Sequence, residues 1–201
     1  MLTANLFAYL FVIAGYLLGS VASAIVVCRL LGLGDPRAGG SGNPGATNVM
    51  RLHGRLPALL TLAGDLLKGL LPVLAAQAFD QAISVVALTG LAAFLGHLYP
   101  VFFRFQGGKG VATLIGVLFG LYWLLGLGFV ATWLVMAGLF RYSSLAAICA
   151  AMLTPVYTAL LVPNLLVVGV TGVMTLFLIA RHRSNIQNLM AGNEGRIGEK
   201  G

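Results

Sequence analysis

Charged residues are scarce in this chain. Only 8% of its 201 residues are charged, whereas 59% are hydrophobic, and the mean hydropathy is +0.98. Because a soluble domain carries about 25% charged residues, this composition excludes an ordinary soluble protein and indicates an integral membrane protein. Acidic residues are the scarcest, with five Asp and Glu against twelve Lys and Arg and a net charge of +7. No aromatic-interleaved basic array accompanies that charge, so we attribute it to cytoplasmic loops beside anionic lipid and to anionic substrates, not to nucleic acid.

Residues that bind metals are also few. The two cysteines, Cys28 and Cys149, lie in apolar runs and form no C-x-x-C pair, so neither a metal site nor a disulfide is favoured. The three histidines and five acidic residues form no dense cluster along the sequence. The G-x-S-x-G elbow of serine hydrolases is absent. We therefore expect no metal and no cofactor.

The apolar runs are continuous, which favours membrane-spanning helices over a barrel of short alternating strands. The predicted fold is an all-α integral membrane protein, a compact bundle formed by a single domain over residues 1–201. The first run lacks a basic flank and is too long for a signal peptide, so we expect it to be retained. Runs of suitable length are about Leu6–Leu31, Leu56–Phe79, Ala82–Phe103, Leu145–Val162 and Leu165–Ala180.

The segment Val111–Phe140 decides the number of spans. As one helix it would be ~45 Å long, against a hydrocarbon core of ~30 Å. A break at Gly126–Gly128 would give two short helices of ~20 Å each. Two crossings here place the basic loops and the basic tail on one side, as the positive-inside rule requires. We therefore predict seven spans with the N-terminus outside and the C-terminus cytoplasmic; five spans with a re-entrant segment is the alternative.

Between the first two runs lies the glycine-rich stretch Gly39–Arg51, GGSGNPGATNVMR. Glycines allow backbone N–H groups to approach a ligand, and an arginine recognises a phosphate or carboxylate in a bidentate manner. The alternative is a solvated loop that is rich in turn-forming residues. The candidate ligand-binding residues of this stretch are Ser41, Gly42, Asn43, Thr47, Asn48 and Arg51.

Two further polar stretches follow at predicted helix ends. Gly107-Gly108-Lys109-Gly110, which continues to Thr113, resembles a phosphate cradle but lacks the Ser or Thr of a Walker A loop. A tight inner loop with a topology-setting lysine is the alternative. After the last run come His182 and Asn185, spaced to share a face if that helix continues, and then Glu194. A basic membrane anchor is the alternative there.

Asp65 and Lys68 lie inside the second apolar run. A charge at mid-bilayer costs roughly 2.5–3.5 kcal/mol, so their i,i+3 spacing predicts a buried, mutually neutralising structural pair. A role behind the site, holding the span against the loops, is the alternative. We interpret His53 and His97 as hydrogen-bonded packing residues.

Together the three stretches Gly40–Arg51, Gly107–Thr113 and His182–Glu194 resemble the three motifs of the bacterial acyl-phosphate:glycerol-3-phosphate acyltransferase family, PlsY. Asp65 with Lys68-Gly69, and Gly96-His97, also resemble the family. Asn188 departs from it, because an arginine is expected at that position. No histidine is followed five positions later by an acidic residue, which excludes the pattern of the acyl-CoA-type enzymes.

The resemblance implies transfer of a fatty acyl group from acyl phosphate to the 1-hydroxyl of glycerol 3-phosphate, giving lysophosphatidic acid and phosphate. It implies that Ser41, Arg51 and Lys109 bind glycerol phosphate with the Gly107–Gly110 backbone, and that His182 and Asn185 bind acyl phosphate. His182, Asn185, Lys109 and Arg51 are the implied catalytic group, and all three motifs are expected at one cytoplasmic pocket of the bacterial inner membrane. The expected partners are the two substrates and membrane lipids, with no nucleic acid, and the expected state is a monomer.

Two alternatives concern the chemistry. His182 could act as a general base, or the acyl phosphate could accept the proton itself; we favour the second route, without a covalent acyl-enzyme. The rival function is transport of small phosphorylated anions, although the polar residues gather at one end of the spans and not near the midplane. A catalytically inactive scaffold does not account for three intact motifs.

Overall fold

The computed structural model describes the backbone of residues 2–199 and the side chains of residues 7–199. Within that part of the chain every regular element is helical and no strand occurs. The all-α prediction is therefore confirmed. Two short 3₁₀ helices, Pro36–Ala38 and Val101–Phe103, accompany ten α-helices. The α-helices are α1 Leu2–Gly19, α2 Ser23–Leu30, α3 Ala46–His53, α4 Arg55–Ala78, α5 Ile83–Leu98, α6 Val111–Leu121, α7 Trp123–Phe140, α8 Ser143–Leu161, α9 Leu165–Arg181 and α10 Arg183–Met190.

Among the described residues, four helical segments are long and apolar enough to cross a bilayer, namely Arg55–Ala78, Ile83–Phe103, Trp123–Phe140 and Ser143–Leu161. Two bent pairs, α1 with α2 and α9 with α10, raise that number to as many as six if each pair is one span. The apolar helix α6 is shorter, with 11 residues. Three predicted runs correspond to single elements of the structure. Leu56–Phe79 corresponds to α4, Ala82–Phe103 to α5 with its 3₁₀ extension, and Leu145–Val162 to α8.

The sequence predicted one spanning helix for the first run, but the run does not form one straight helix. Its two parts, α1 and α2, meet at a bend of 48°. The carbonyl of Val21, inside this break, accepts a hydrogen bond from the Lys68 ammonium at 2.7 Å. A buried cation thus satisfies a backbone group that the helix itself leaves unpaired.

The predicted break at Gly126–Gly128 is wrong in position. The helix ends at Leu121, Tyr122 is extended (φ −162°, ψ 121°), and α7 begins at Trp123. Gly126 is buried inside α7, and a Cβ on Gly128 would lie 3.2 Å from the Tyr157 ring. Glycines in membrane helices therefore serve close packing here, whereas the break occurs at an aromatic pair of the kind that favours membrane interfaces.

The structure divides into two compact units, residues 1–121 and 122–201. In the first unit α1 packs on α5 and α4 packs on α6. Glycines bring these backbones together: a Cβ on Gly96 would collide with the Tyr16 carbonyl, and one on Gly69 with the Thr113 carbonyl. Glycine therefore serves close helix packing at both interfaces.

In the second unit α8 packs against both α7 and α9. Thr132 of α7 and Tyr157 of α8 share a hydrogen bond of 2.7 Å, and Thr175 of α9 donates to the Ala151 carbonyl at 2.9 Å. The side chain of Asn164 caps α9 by accepting from the N–H of Leu166 at 3.1 Å. The Asn164 side chain thus satisfies an N–H group that the start of α9 leaves unpaired.

Candidate active site

The stretch Gly39–Arg51 is not simply a loop, because its second half is the helix α3. Its first half closes around the buried side chain of Asn48. The Asn48 Oδ1 accepts from the N–H of Ser41 at 2.9 Å, and its Nδ2 donates to the carbonyls of Pro36 at 2.7 Å and Gly39 at 3.2 Å. Gly40 has φ +58°, and a Cβ there would collide with Asn48 Oδ1, so glycine is required.

Most of the other candidate residues of this stretch are accessible. Thr47 and Arg51 are both exposed and stand i,i+4 on α3, so their side chains share one face of the helix. Ser41 and Gly42 are exposed, and Asn43 is half-buried. The loop therefore presents Ser41, Thr47 and Arg51, whereas Asn48 holds the backbone that presents Ser41.

An ion pair that the sequence analysis did not identify lies at the entrance to this stretch. The Arg37 guanidinium contacts both carboxylate oxygens of Asp35, the shorter distance being 2.7 Å. The Arg37 backbone N–H also donates to Asp35 at 2.9 Å. These hydrogen bonds hold the pKa of the Asp35 carboxyl below its usual value. Arg37 is therefore engaged within the loop.

The glycines of Gly107–Gly110 are buried, and Lys109 between them is half-buried. Gly110 has φ +91°, and a Cβ there would collide with the Phe94 ring. Helix α6 begins at the next residue, so the loop leads directly into a helix N-terminus, where unpaired N–H groups favour an anion. The Thr113 hydroxyl in the first turn of α6 is fully buried and has no hydrogen-bond partner among the described residues.

The predicted pair of Asp65 and Lys68 is present in α4. Lys68 Nζ lies 2.8 Å from Asp65 Oδ1, and both side chains are less than a tenth exposed. His97 of α5 joins them, with its Nδ1 3.5 Å from the same carboxylate oxygen. His53 is hydrogen-bonded as expected, its Nε2 lying 3.1 Å from the Gly34 carbonyl.

His182 occupies the junction of α9 and α10, which are bent by 57°. The last helix therefore bends at His182, which is the N-cap of α10 three residues before Asn185, and the His182 carbonyl accepts from the Ile186 N–H at 2.9 Å. His182 is 3% exposed, and its Nδ1 lies 2.8 Å from the Leu178 carbonyl. Because a carbonyl can only accept, Nδ1 carries a proton and Nε2 of the neutral ring is an acceptor.

Asn185, on α10, is oriented by Glu194. The Oε1 of Glu194 accepts from Asn185 Nδ2 at 2.8 Å and from the Ser144 hydroxyl at 2.5 Å. Ser144, to which the sequence analysis gave no role, stands in the first turn of α8. The predicted departure, Asn188, is exposed on α10. No spacing rule links Ser144 to Glu194, since they are 50 residues apart.

The tail after α10 is attached to the turn between α7 and α8. The Ile197 N–H donates to the Arg141 carbonyl at 2.6 Å, and the Arg141 guanidinium donates to the Ile197 carbonyl at 3.0 Å. Arg196 donates to the Tyr142 hydroxyl at 3.1 Å and lies over the Tyr142 ring. These contacts fix the segment that carries Glu194.

Within residues 7–199 no three His, Cys, Asp or Glu side chains approach closely enough to bind a metal ion. The candidate residues offer instead backbone N–H groups, two cations, an imidazole and an amide. Such groups recognise phosphate and stabilise developing negative charge.

The helices define the class: a multi-pass α-helical integral membrane protein. Residues 9–192 match the family model described as glycerol-3-phosphate acyltransferase. The chain therefore belongs to the glycerol-3-phosphate acyltransferase family.

Relatives of the same name support this assignment. The chain is 56% identical to the glycerol-3-phosphate acyltransferase of Halorhodospira halophila over 190 residues, which cover 94% of this chain and 96% of that one. It is 54% identical to that of Hydrogenovibrio crunogenus, with coverages of 92% and 90%. Among solved structures, it is similar to PlsY (YgiH), described as an integral membrane glycerol 3-phosphate acyltransferase. The glycerol 3-phosphate form has a TM-score of 0.89 and 42% identity, covering 95% of this chain and 96% of that one. The lysophosphatidic acid form has a TM-score of 0.87 and 41% identity, covering 95% of each.

Proposed function

We propose that this chain transfers a fatty acyl group from acyl phosphate to the 1-hydroxyl of glycerol 3-phosphate. The hydroxyl oxygen attacks the acyl carbonyl carbon, the bond from that carbon to the phosphate oxygen breaks, and lysophosphatidic acid and phosphate are released. The observation that carries the proposal is family membership over residues 9–192. The similar solved structures support it, because they are described in a glycerol 3-phosphate form and a lysophosphatidic acid form, the acceptor and product of this reaction.

Glycerol 3-phosphate is bound in this proposal by Arg51, Lys109 and Ser41. Arg51 and Ser41 are exposed on either side of Asn48, and Lys109 stands before the N-terminus of α6. A dianionic phosphate is favoured there by the cations and by the helix dipole. The remaining acceptor-binding residues that we propose are Gly42, Asn43, Thr47, Asn48, Gly107, Gly108, Gly110 and Thr113, with Asn48 acting through the loop backbone.

Acyl phosphate is bound in this proposal by His182 and Asn185. Acyl phosphate suits this reaction, because phosphate is a good leaving group and no metal or cofactor is needed to activate the acyl group. Asn185 is held by Glu194, so its amide is oriented before the substrate arrives. The acyl chain lies in an apolar groove that is reached from the lipid.

The proton of the attacking hydroxyl passes to the departing phosphate in the route that we favour. In that route His182 only binds acyl phosphate, whereas a general base would need the acceptor nitrogen that its ring has when neutral. Replacing His182 with Gln separates the two routes, because Gln retains a polar group near Nε2 but no basic nitrogen. Substantial activity in His182→Gln supports substrate assistance. Loss of turnover with both substrates still bound, and with no rescue by raised pH, supports the base.

We further propose seven spans in one domain: the four long helices, the two bent pairs and α6. The N-terminus is then outside and the basic loops face the cytoplasm of a bacterial inner membrane. Single cysteines introduced at Arg104 and at Asp80 of a variant lacking Cys28 and Cys149 test this topology. A membrane-impermeant thiol reagent added to intact cells labels only the Asp80→Cys protein; labelling of Arg104→Cys contradicts it.

The activity test uses purified protein, palmitoyl phosphate and labelled glycerol 3-phosphate. We expect labelled lysophosphatidic acid and equimolar phosphate, and no product when palmitoyl-CoA replaces palmitoyl phosphate. If product formed from palmitoyl-CoA and not from palmitoyl phosphate, the proposal that acyl phosphate is the donor would be refuted. Counterflow of glycerol phosphate in liposomes without any lysolipid would favour the transporter.

A further inference from the structure

A buried line of polar groups runs through the first unit to the loop Gly107–Gly110. Lys68 donates to the Val21 carbonyl at 2.7 Å and contacts Asp65 at 2.8 Å. Asp65 in turn lies 3.5 Å from Nδ1 of His97. The side chains of Asp65, Lys68 and His97 are 4%, 7% and 5% exposed, so the three groups have almost no access to solvent.

Stability alone does not account for such a group of residues. Removing charges from water is costly, and well-packed apolar residues of similar volume are often as stabilising as a buried ion pair. Intramembrane ionisable residues therefore indicate a functional requirement. The one contact of this group that leads towards the proposed acceptor site is His97.

His97 forms the surface on which the glycine loop rests. The Gly108 N–H donates to the His97 carbonyl at 3.2 Å. A Cβ on Gly107 would collide with that carbonyl, and a Cβ on Gly108 would collide with His97 Nε2. The imidazole therefore presents its Nδ1 edge to Asp65 and its Nε2 edge to the loop. Any rotation of the ring displaces the backbone beside Lys109.

We propose that Asp65 and His97 are positioning residues for glycerol phosphate binding. The Asp65 carboxylate fixes the orientation of the His97 ring, and the ring and carbonyl of His97 fix the backbone of Gly107 and Gly108. Lys109 and the loop N–H groups are thereby held where the acceptor phosphate binds. This inference rests on the proposed function, and it assigns His97 a role that is distinct from packing. The arrangement matches the way in which outer residues orient the groups that touch a ligand.

The test measures the KM for the acceptor, glycerol 3-phosphate, and the KM for the donor, palmitoyl phosphate, separately. His97→Ala removes the imidazole beneath the loop but keeps the carbonyl that accepts from the Gly108 N–H, and we expect the KM for glycerol 3-phosphate to rise about tenfold or more. The KM for palmitoyl phosphate stays within about twofold in the same assay. His97→Gln restores part of the affinity, because its amide reaches the loop side of the ring. Thr89→Val is the matched control on α5, since the Thr89 hydroxyl is buried without a partner among the described residues.

A double-mutant cycle tests whether Asp65 acts through His97. Asp65→Asn combined with Lys68→Met avoids leaving a lone buried charge. We expect this pair of substitutions to raise the KM for glycerol 3-phosphate in the wild-type background but to add little once His97 is Ala. If the effects of the substitutions on this KM were fully additive, the proposed coupling between Asp65 and His97 would be overturned. An unchanged KM in His97→Ala, or an equal rise for both substrates, would overturn the positioning role.

Hydrogen exchange over residues 104–113 keeps this inference separable from the proposed function, because it needs no turnover. Faster exchange of this segment in His97→Ala, relative to the wild type and to Thr89→Val, supports the positioning role even if the wild type forms no lysolipid. Unchanged exchange overturns it even if the wild type is an active acyltransferase.

Discussion

Replacing Glu194 with Ala tests the third motif through the contacts of a single oxygen atom. Oε1 of Glu194 accepts from Asn185 Nδ2 at 2.8 Å and from the Ser144 hydroxyl at 2.5 Å. A hydrogen bond to a charged group contributes about 1.5–3 kcal/mol, and Glu194 is partly exposed, so we take the lower value for each bond. The loss of both bonds then destabilises the second unit by about 3 kcal/mol.

The part of this free-energy loss that affects catalysis is smaller than the loss of stability. Orientation of the Asn185 amide depends on one of the two bonds, about 1.5 kcal/mol, which corresponds to about a tenfold fall in kcat. Ser144→Ala is the matched control, because it removes the other bond and leaves Asn185 held. We expect it to lower the unfolding temperature while activity stays within about twofold of the wild type. Glu194→Gln retains the shape of the side chain without its charge, and we expect its kcat to lie between those of Glu194→Ala and Ser144→Ala.

The assay is the initial rate with saturating palmitoyl phosphate and glycerol 3-phosphate, alongside thermal unfolding in the same detergent. Equal rates for Glu194→Ala and Ser144→Ala would refute the reasoning, because the orientation of Asn185 would then have no effect on turnover. A rate for Glu194→Ala that fell only in proportion to the folded fraction would refute it as well.

Three further predictions concern the first unit. Lys109→Ala should raise the KM for glycerol 3-phosphate by about 10- to 100-fold with the fold retained, and unchanged kinetics would remove Lys109 from the site. Asn48→Ala abolishes three loop hydrogen bonds and should speed hydrogen exchange at residues 36–42, whereas Asn48→Asp, which keeps the acceptor for the Ser41 N–H, should speed it less. Lys68→Met should cost about 3–5 kcal/mol because the buried Asp65 carboxylate loses its ammonium partner, and adding Asp65→Asn should restore stability to thermal unfolding but not the affinity for glycerol phosphate.

Much of the local structure was predictable because it depends on neighbouring residues. Continuous apolar runs favour helices in lipid whatever surrounds them, so α4, α5 and α8 follow from composition. The pair of Asp65 and Lys68 follows from its i,i+3 spacing alone. The glycines that flank Lys109 predicted a tight turn before a helix, and α6 begins directly after them.

The two mistaken boundaries have separate causes. Glycine was interpreted as a helix breaker at Gly126–Gly128, but in α7 it packs against a neighbouring helix, and the break falls at Tyr122. The bend between α1 and α2 follows Gly19-Ser20, a pair of the kind that accompanies helix kinks, and the sequence analysis did not use that signal. Part of its support is the Lys68 ammonium, which comes from a distant point in the chain.

The sequence by itself determined the class of protein, several of its long apolar helices and which residues are candidates for binding phosphate, because transfer of apolar side chains into lipid and the flexibility of glycine are local properties. Only the tertiary structure decided what holds those candidates in place. Asn48 holds Ser41 and Glu194 holds Asn185 within their own motifs, whereas His97 under Gly108 and Ser144 beside Glu194 are contacts between separate segments. Which segments meet is a result of packing the whole chain, so no spacing within one segment encodes it.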